Sequence, residues 1–174
     1  QAGLPEIQVS AIDARHLQVL AAASGARRAI EIGTLAGYSG VSILRGMTGG
    51  GILDTFEIDE RHAQVAKESF RRAGFADRVR IHVGPATSTL RSIEPDAPFD
   101  FCFIDADKEG YAEYLDWAAR HLRKGGARVA AVGRLRFDGA GAVRLEHQAE
   151  QARSEPDEYA PTRPIEGGHL RAAS

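Results

Sequence analysis

Short apolar runs alternate with longer helical stretches along this chain, and that alternation constrains the fold more than any other feature. The runs at 28–33, 52–59, 79–84, 99–105 and 127–133 have the length and composition of buried strands. Strands that alternate with helices of about 10 to 15 residues form βαβ units and a parallel sheet. We therefore predict an α/β fold: a Rossmann-like, doubly wound, mostly parallel sheet of about seven strands with helices on both faces.

Capping residues indicate where two of the helices begin. Ser10 opens a capping-box-like start, and Asp59 caps a helix that runs to Gly74. Apolar residues at helical spacing predict the other helices. The remaining predicted elements are helices at about 41–46, 111–124 and 142–153 and a closing pair of strands at 158–163 and 169–173.

Length, charge and cysteine content narrow the classes of function. The 174 residues predict a single domain over 1–174, and the net charge of −2 gives no footprint for nucleic acid or an anionic membrane. No apolar run approaches the roughly 18 residues that a membrane span needs. Because Cys102 is the sole cysteine, no disulfide can form within the chain, and a cytoplasmic location is the default expectation.

A glycine-containing turn, EIGTLAGYSG at 31–40, follows the first predicted strand. It lacks the middle glycine of the dinucleotide pattern, Glu31 would repel a pyrophosphate, and no Gly-Lys-Ser/Thr follows as in a Walker loop. The backbone N–H groups of Tyr38 and Ser39 can instead bind a carboxylate, while Glu31 can bind an ammonium group. The turn therefore favours a small zwitterion over a phosphate.

An acid also ends the second predicted strand. Glu57 can accept hydrogen bonds from both hydroxyls of a ribose, and in parallel sheets ligands bind beyond the carboxyl ends of the strands. An amino acid joined to a nucleoside without phosphate describes S-adenosylmethionine, which we predict as the cofactor. The plainer interpretation is that Gly33 and Gly37 only permit a tight turn and that Glu57 is a solvated end residue.

Five motifs together resemble the catechol and caffeoyl-CoA O-methyltransferase family of small class I methyltransferases. EIGTLAGYSG, FEID, VGPA, FIDADKEGY and LRKGG occur in the order and spacing of that family. The resemblance covers about 9–126 and, more weakly, PIEGGHL at 164–170. The family's amino-terminal helices, which often cover the site, have no counterpart in this chain.

The resemblance implies a role for each matching position. The methionine part of the cofactor would be surrounded by Glu31, Gly33, Thr34, Tyr38 and Ser39, with Val9 beside it. The ribose would be held by Glu57, and the adenine would pack on Ile58 and be framed by Gly84, Pro85 and Ala86. Asp107 would lie near the cofactor and Asp105 at the reaction centre. Lys108 matches the lysine that acts as general base in the catechol enzymes. The plainer interpretation of Lys108 is a surface residue at the start of a helix.

The chain departs from the family at the metal site. Asp105 matches the first of three oxygen ligands, but Ala131 and Val132 stand where an Asp-Asn pair is expected, and neither side chain can coordinate a hard cation. Asp138 is an alternative ligand if the alignment slips. We therefore expect no functional divalent metal site.

Several functions remain to be compared. The leading one is an O-methyltransferase that acts on a small, hydroxylated, aromatic acceptor, with a homodimer as an option because dimers are common in the family. The alternative is an S-adenosylmethionine-binding protein of the same fold with weak or lost catalysis. A nucleic-acid methyltransferase is disfavoured because IDADKEG replaces the Asn/Asp-Pro-Pro-aromatic motif, and a nicotinamide oxidoreductase is disfavoured by the turn at 31–40.

Overall fold

Five parallel strands form the centre of the fold in this computed structural model, which describes residues 9–133, 136–137 and 143–146. The sheet order is β3-β2-β1-β4-β5-β7-β6, and among these described strands only the β6–β7 pair is antiparallel. The strands are β1 (Arg28–Ile32), β2 (Ile52–Glu57), β3 (Val79–Val83), β4 (Phe99–Ile104), β5 (Leu122–Gly133), β6 (Arg136–Phe137) and β7 (Val143–Glu146). The order reverses between β1 and β4, where an open α/β sheet binds its ligands.

Helices cover both faces of this sheet. The helices are α1 (Ala11–Ala23), α2 (Tyr38–Gly46), α3 (Glu60–Arg72), α4 (Ala86–Thr89) and α5 (Tyr111–His121), with 3₁₀ segments at Ala76–Arg78 and Leu90–Asp96. Helices α1, α2 and α3 pack into one core, and α4, the second 3₁₀ segment and α5 pack into the other. Within the described part of the chain, no helix has the length and apolar character to cross a membrane.

Side-chain alternation along the central strands fills the two cores. On β4, Phe101 and Phe103 enter the core below α1, α2 and α3, whereas Cys102 and Ile104 enter the opposite core. Burial raises the pKa of the Cys102 thiol to about 12, so this residue is a packing residue. Each fully buried phenylalanine contributes about 1.5–3 kcal/mol to folding. Because a slip of one residue would move these side chains to the opposite face of the sheet, their burial fixes the register of β4.

Both predicted helix caps are confirmed. The Ser10 hydroxyl accepts a hydrogen bond from the backbone N–H of Asp13 at 3.1 Å. The Asp59 carboxylate accepts from the N–H groups of Arg61 at 2.7 Å and His62 at 3.3 Å, and these bonds lower its pKa. The Asp59 cap, two residues after Glu57, makes α3 begin at Glu60, and the Ser10 cap makes α1 begin at Ala11.

The α/β class and the five central strands are confirmed, but the prediction was wrong in two places. The helix expected at 111–124 ends at His121, because Leu122 already pairs with Phe99 and the Arg123 guanidinium contacts Asp100 at 2.7 Å. The helix expected at 142–153 is wrong for 143–146, where pairing with β5 makes a strand. The rest of that helix and the strands expected at 158–163 and 169–173 lie outside the described residues.

Candidate functional site

A cavity of about 1160 Å³ opens at the carboxyl ends of β1, β2, β3 and β4. Most of the predicted site residues line it: Val9, Gly33, Thr34, Tyr38, Ser39, Glu57, Ile58, Gly84, Pro85, Ala86, Asp105 and Asp107. The two predicted residues outside the lining are Glu31, which lies beneath it, and Lys108, which is exposed. Residues that are far apart in the sequence thus meet at one edge of the sheet.

The turn after β1 brings two strand ends into direct contact. Gly33 has a φ of +98°, and a Cβ at this position would overlap the carbonyl oxygen of Asp105 and lie 2.7 Å from its carbonyl carbon. The N–H of Asp105 donates to the carbonyl of Ile32 at 2.8 Å, and the N–H of Gly33 donates to the carbonyl of Phe56 at 3.0 Å. Only glycine allows the chain to turn here while its backbone touches that of Asp105, the residue after β4.

Glu57 is held in place from two sides at the end of β2. Its Oε2 accepts a hydrogen bond from the N–H of Leu35 at 2.7 Å, and its Oε1 accepts from the N–H of Asp59 at 3.0 Å. The Nδ1 atom of His62 lies 3.5 Å from Oε1. Because a carboxylate has about four lone-pair positions, Glu57 keeps capacity for a ligand that offers two hydroxyl groups.

Glu31 is fully buried below the cavity wall. Its Oε2 accepts a hydrogen bond from the hydroxyl of Thr55 at 2.7 Å, and Thr55 is 2.6 Å from the hydroxyl of Thr34, which lines the cavity. Burial raises the Glu31 pKa to about 7, although the neighbouring hydroxyls of Ser39 and Thr55 oppose this. Oε1 has no hydrogen-bond partner within the described residues. Glu31 is therefore a poorly solvated acid that a nearby cation would stabilise as carboxylate.

Asp107 is anchored by the first turn of α5. The hydroxyl of Tyr114 donates to its Oδ1 at 3.0 Å, and the N–H of Gly110 donates to its Oδ2 at 2.6 Å. Gly110 and Tyr114 also line the cavity, and sequence reasoning missed both. Tyr114 falls within the helix predicted at 111–124, and its spacing of seven residues from Asp107 was the available signal.

Asp105 and Lys108 occupy different positions relative to the cavity. Asp105 is partly buried in the wall, directly after β4. Lys108 lies three residues further on, in the turn that leads to α5, where its carbonyl accepts a hydrogen bond from the N–H of Tyr111 at 3.4 Å. The Lys108 side chain is exposed at this rim rather than part of the wall.

The charge of the cavity wall has one sign. The described lining includes the carboxylates of Glu57, Asp105, Asp107, Glu109 and Glu113 but no lysine or arginine; Glu109, Glu113 and His62 were not predicted from the sequence. A wall of this kind attracts cations and repels a pyrophosphate.

The described residues hold no group of three or more His, Cys, Asp or Glu side chains that could bind a metal ion. Ala131 and Val132 lie on β5, and Asp138 lies outside the described residues. The family resemblance implies three oxygen ligands. Of those three positions, Asp105 is the one that carries an acid in this chain. The donor set of the described residues therefore does not fit a tightly held divalent cation.

Comparisons with known proteins point in one direction. A family model described as O-methyltransferase matches residues 1–151. The chain is 48% identical over 124 residues to a catechol O-methyltransferase from Mycobacterium tuberculosis, covering 71% of this chain and 56% of that relative. It is 43% identical over 127 residues to a catechol O-methyltransferase from Niastella koreensis, covering 72% of this chain and 58% of that relative.

The fold is similar to that of solved O-methyltransferases. A crystal structure of an O-methyltransferase from Bacillus cereus in complex with SAH matches with a TM-score of 0.68 and 43% identity, over 70% of this chain and 56% of that one. The match thus spans just over half the length of each of these three relatives.

Proposed function

The chain belongs to the O-methyltransferase family, and we propose that it transfers a methyl group from S-adenosylmethionine to a hydroxyl of a small aromatic acceptor. The observation that carries this proposal is the charge of the cavity: among its described lining residues it has five carboxylates and no lysine or arginine. A sulfonium cofactor is cationic at its reacting centre, whereas a nicotinamide dinucleotide carries a pyrophosphate. The wall favours the former.

Each part of the cofactor has residues that suit it. Glu57 would accept hydrogen bonds from the ribose, because its carboxylate is fixed by two backbone N–H groups and retains free lone pairs. The base would lie against the exposed side chain of Ile58, near the start of α4. The methionine part would be surrounded by Val9, Gly33, Thr34, Tyr38 and Ser39, with Glu31 beneath them and Asp105 and Asp107 on the β4 side.

Methyl transfer from S-adenosylmethionine requires few chemical steps from the protein. S-adenosylmethionine supplies a methyl group on a sulfonium, so the leaving group is already activated. The protein must orient the acceptor oxygen and accept its proton. Lys108 is the proposed base, because it follows Asp105 and Asp107 at the rim and a phenol has a pKa of about 10, close to that of a free lysine.

A divalent metal has no place in this proposal, because Ala131 and Val132 cannot supply the side-chain oxygens that the family pattern requires. Those two residues also favour the second candidate function, an S-adenosylmethionine-binding protein with weak or lost catalysis. The two candidates differ in turnover and not in cofactor binding.

We also propose a domain organisation, a cellular location and a class of partner for this protein. We propose that 1–174 forms a single domain that acts in the cytoplasm on a small molecule, without nucleic acid. The balanced charge and the single buried cysteine support this setting. The homodimer implied by the family resemblance stays a prediction, which sedimentation of the purified chain would test.

Replacing Glu57 tests the proposed cofactor site. Glu57→Ala removes the acceptor for two ribose hydroxyls, which should cost roughly 2–3 kcal/mol of S-adenosylhomocysteine affinity. Glu60→Ala is the matched control, because it removes an exposed acid from the start of α3, outside the lining. Isothermal titration of both variants measures the difference, and equal affinities would rule out the ribose assignment.

A methyl-transfer assay separates the two candidate functions. The full chain would be incubated with S-adenosylmethionine and a panel of catechols and phenols, and products would be identified by mass spectrometry. Methylated product at a rate above the uncatalysed reaction supports the enzyme. Tight cofactor binding without any methylated product would favour the binding protein instead.

A further inference from the structure

Asp107 is an exposed residue whose carboxylate is nevertheless fixed at both oxygens. The bonds from the Tyr114 hydroxyl at 3.0 Å and the Gly110 N–H at 2.6 Å use one lone pair of each oxygen. An exposed aspartate without such partners would rotate freely and would lose that freedom on binding a ligand. Here the orientation is set before a ligand arrives, and further lone pairs remain available.

The ring of Tyr114 is itself fixed by close packing. The residue is only 3% exposed, and a Cβ at Gly110 would overlap its Cζ and lie 2.5 Å from its hydroxyl oxygen. Gly110 therefore lacks a side chain in the space that the tyrosine ring occupies. The φ of Gly110 is −78°, so the need for glycine here comes from contact with the ring and not from the backbone conformation.

The hydroxyl of Tyr114 stays a hydrogen-bond donor at all working pH values. Burial, together with the hydrogen bond to Asp107, raises the Tyr114 pKa to about 12. An ionised phenol beside a carboxylate would repel it, whereas the neutral phenol donates to it.

We propose that Tyr114 is a positioning residue: its hydroxyl holds the carboxylate of Asp107 at the cavity wall, where Asp107 accepts a hydrogen bond from an N–H donor of the cofactor. This inference rests on the proposed function, since it concerns the same cavity. An ionised carboxylate can only accept hydrogen bonds, so the group that it binds must be a donor such as the base's amine or an ammonium. Tyr114 acts through Asp107 and takes no part in the methyl transfer.

A double-mutant cycle in cofactor affinity tests this role. Tyr114→Phe keeps the ring and removes the hydroxyl, so S-adenosylhomocysteine should bind roughly 3- to 10-fold more weakly. Asp107→Ala should weaken binding at least as much. The double variant should bind like Asp107→Ala alone, because the hydroxyl has no function once its carboxylate is gone. In the methyl-transfer assay, Tyr114→Phe should raise the cofactor KM and leave kcat nearly unchanged.

Two further variants separate positioning from stability. Trp117→Phe also removes one side-chain hydrogen bond from α5, the 3.1 Å bond to Glu94, but Trp117 lies outside the cavity lining, so its cofactor affinity should equal that of the unchanged chain. Gly110→Ala must displace the Tyr114 ring and should weaken binding at least as much as Tyr114→Phe.

The outcomes separate this inference from the proposed function. Equal affinity of Tyr114→Phe and the unchanged chain, or losses that multiply in the double variant, would overturn the positioning role while the cofactor site stands. A Trp117→Phe loss as large as that of Tyr114→Phe would assign the effect to helix stability and would also overturn it. Failure of the unchanged chain to bind S-adenosylhomocysteine would overturn both.

Discussion

Replacing Gly33 by alanine should damage the fold and the site together, because Gly33, directly after β1, packs against the main chain of Asp105, directly after β4. An alanine with this residue's φ of +98° is strained by about 1–2 kcal/mol. Its Cβ would also overlap the main chain of Asp105, which must move away at a cost of about 1–3 kcal/mol. The sum is about 2–5 kcal/mol, a large part of the about 5–15 kcal/mol that stabilises a typical domain.

Gly25 offers a matched control for the backbone strain alone. It too has a positive φ, +63°, but a Cβ added there would meet nothing within 4 Å. Gly25→Ala should therefore cost about 1–2 kcal/mol. The difference between the two variants isolates the contact of Gly33 with the main chain of Asp105.

Urea unfolding of both variants, followed by circular dichroism, measures that difference. Gly33→Ala should unfold at a clearly lower urea concentration than Gly25→Ala, and it should bind S-adenosylhomocysteine more weakly because Asp105 has moved. A Gly33→Ala chain that fails to fold while Gly25→Ala folds agrees with the argument. Equal urea midpoints of unfolding for the two variants would refute the argument, because the contact between Gly33 and Asp105 would then contribute nothing to stability.

Three other changes have defined outcomes. The free energy of unfolding should fall by up to about 3 kcal/mol between about pH 4.5 and 7, because the Glu31 pKa is about 7 in the folded chain and about 4.5 in the unfolded chain. Urea titrations at several pH values measure this fall, and Glu31→Gln should remove it. Lys108→Ala should reduce turnover roughly 10²- to 10⁴-fold in the methyl-transfer assay, with cofactor affinity nearly unchanged. Excess chelator should leave turnover unchanged in the same assay, because Ala131 and Val132 lack ligand oxygens.

Controls make each of these three results decisive. For Glu31 the sign follows from proton binding: between the two pKa values the folded chain binds more protons, so stability falls as the pH rises. An identical pH dependence in Glu31→Gln would contradict this. Lys124→Ala, at an exposed lysine of β5, controls for the loss of a positive charge. Full turnover in Lys108→Ala would exclude Lys108 as the base. Chelator inhibition that magnesium restores would indicate a ligand oxygen that the described residues do not provide.

Local signals in the sequence were sufficient to place most of the cavity. The turn at 31–40 follows a strand, Glu57 ends the next strand, and strand ends in a parallel sheet meet at one edge; these facts bring Gly33, Glu57 and Asp105 together without a structure. The caps at Ser10 and Asp59 were equally local.

Features that depend on contacts between distant residues were not predictable. The strand at 143–146 exists because it pairs with β5, and β5 begins at Leu122 because that residue pairs with Phe99. Helical spacing within a single segment carries no information about such pairing. For the same reason, the sequence indicated that Glu31 faces a ligand but not that it is buried below the wall.

The most direct test of the central claim is a comparison of ligands for the unchanged full chain. Isothermal titration with S-adenosylmethionine, S-adenosylhomocysteine and NAD measures which chemistry the acidic cavity accepts. We expect saturable one-to-one binding of the first two and no binding of NAD. Binding of NAD without binding of either adenosyl compound would contradict it.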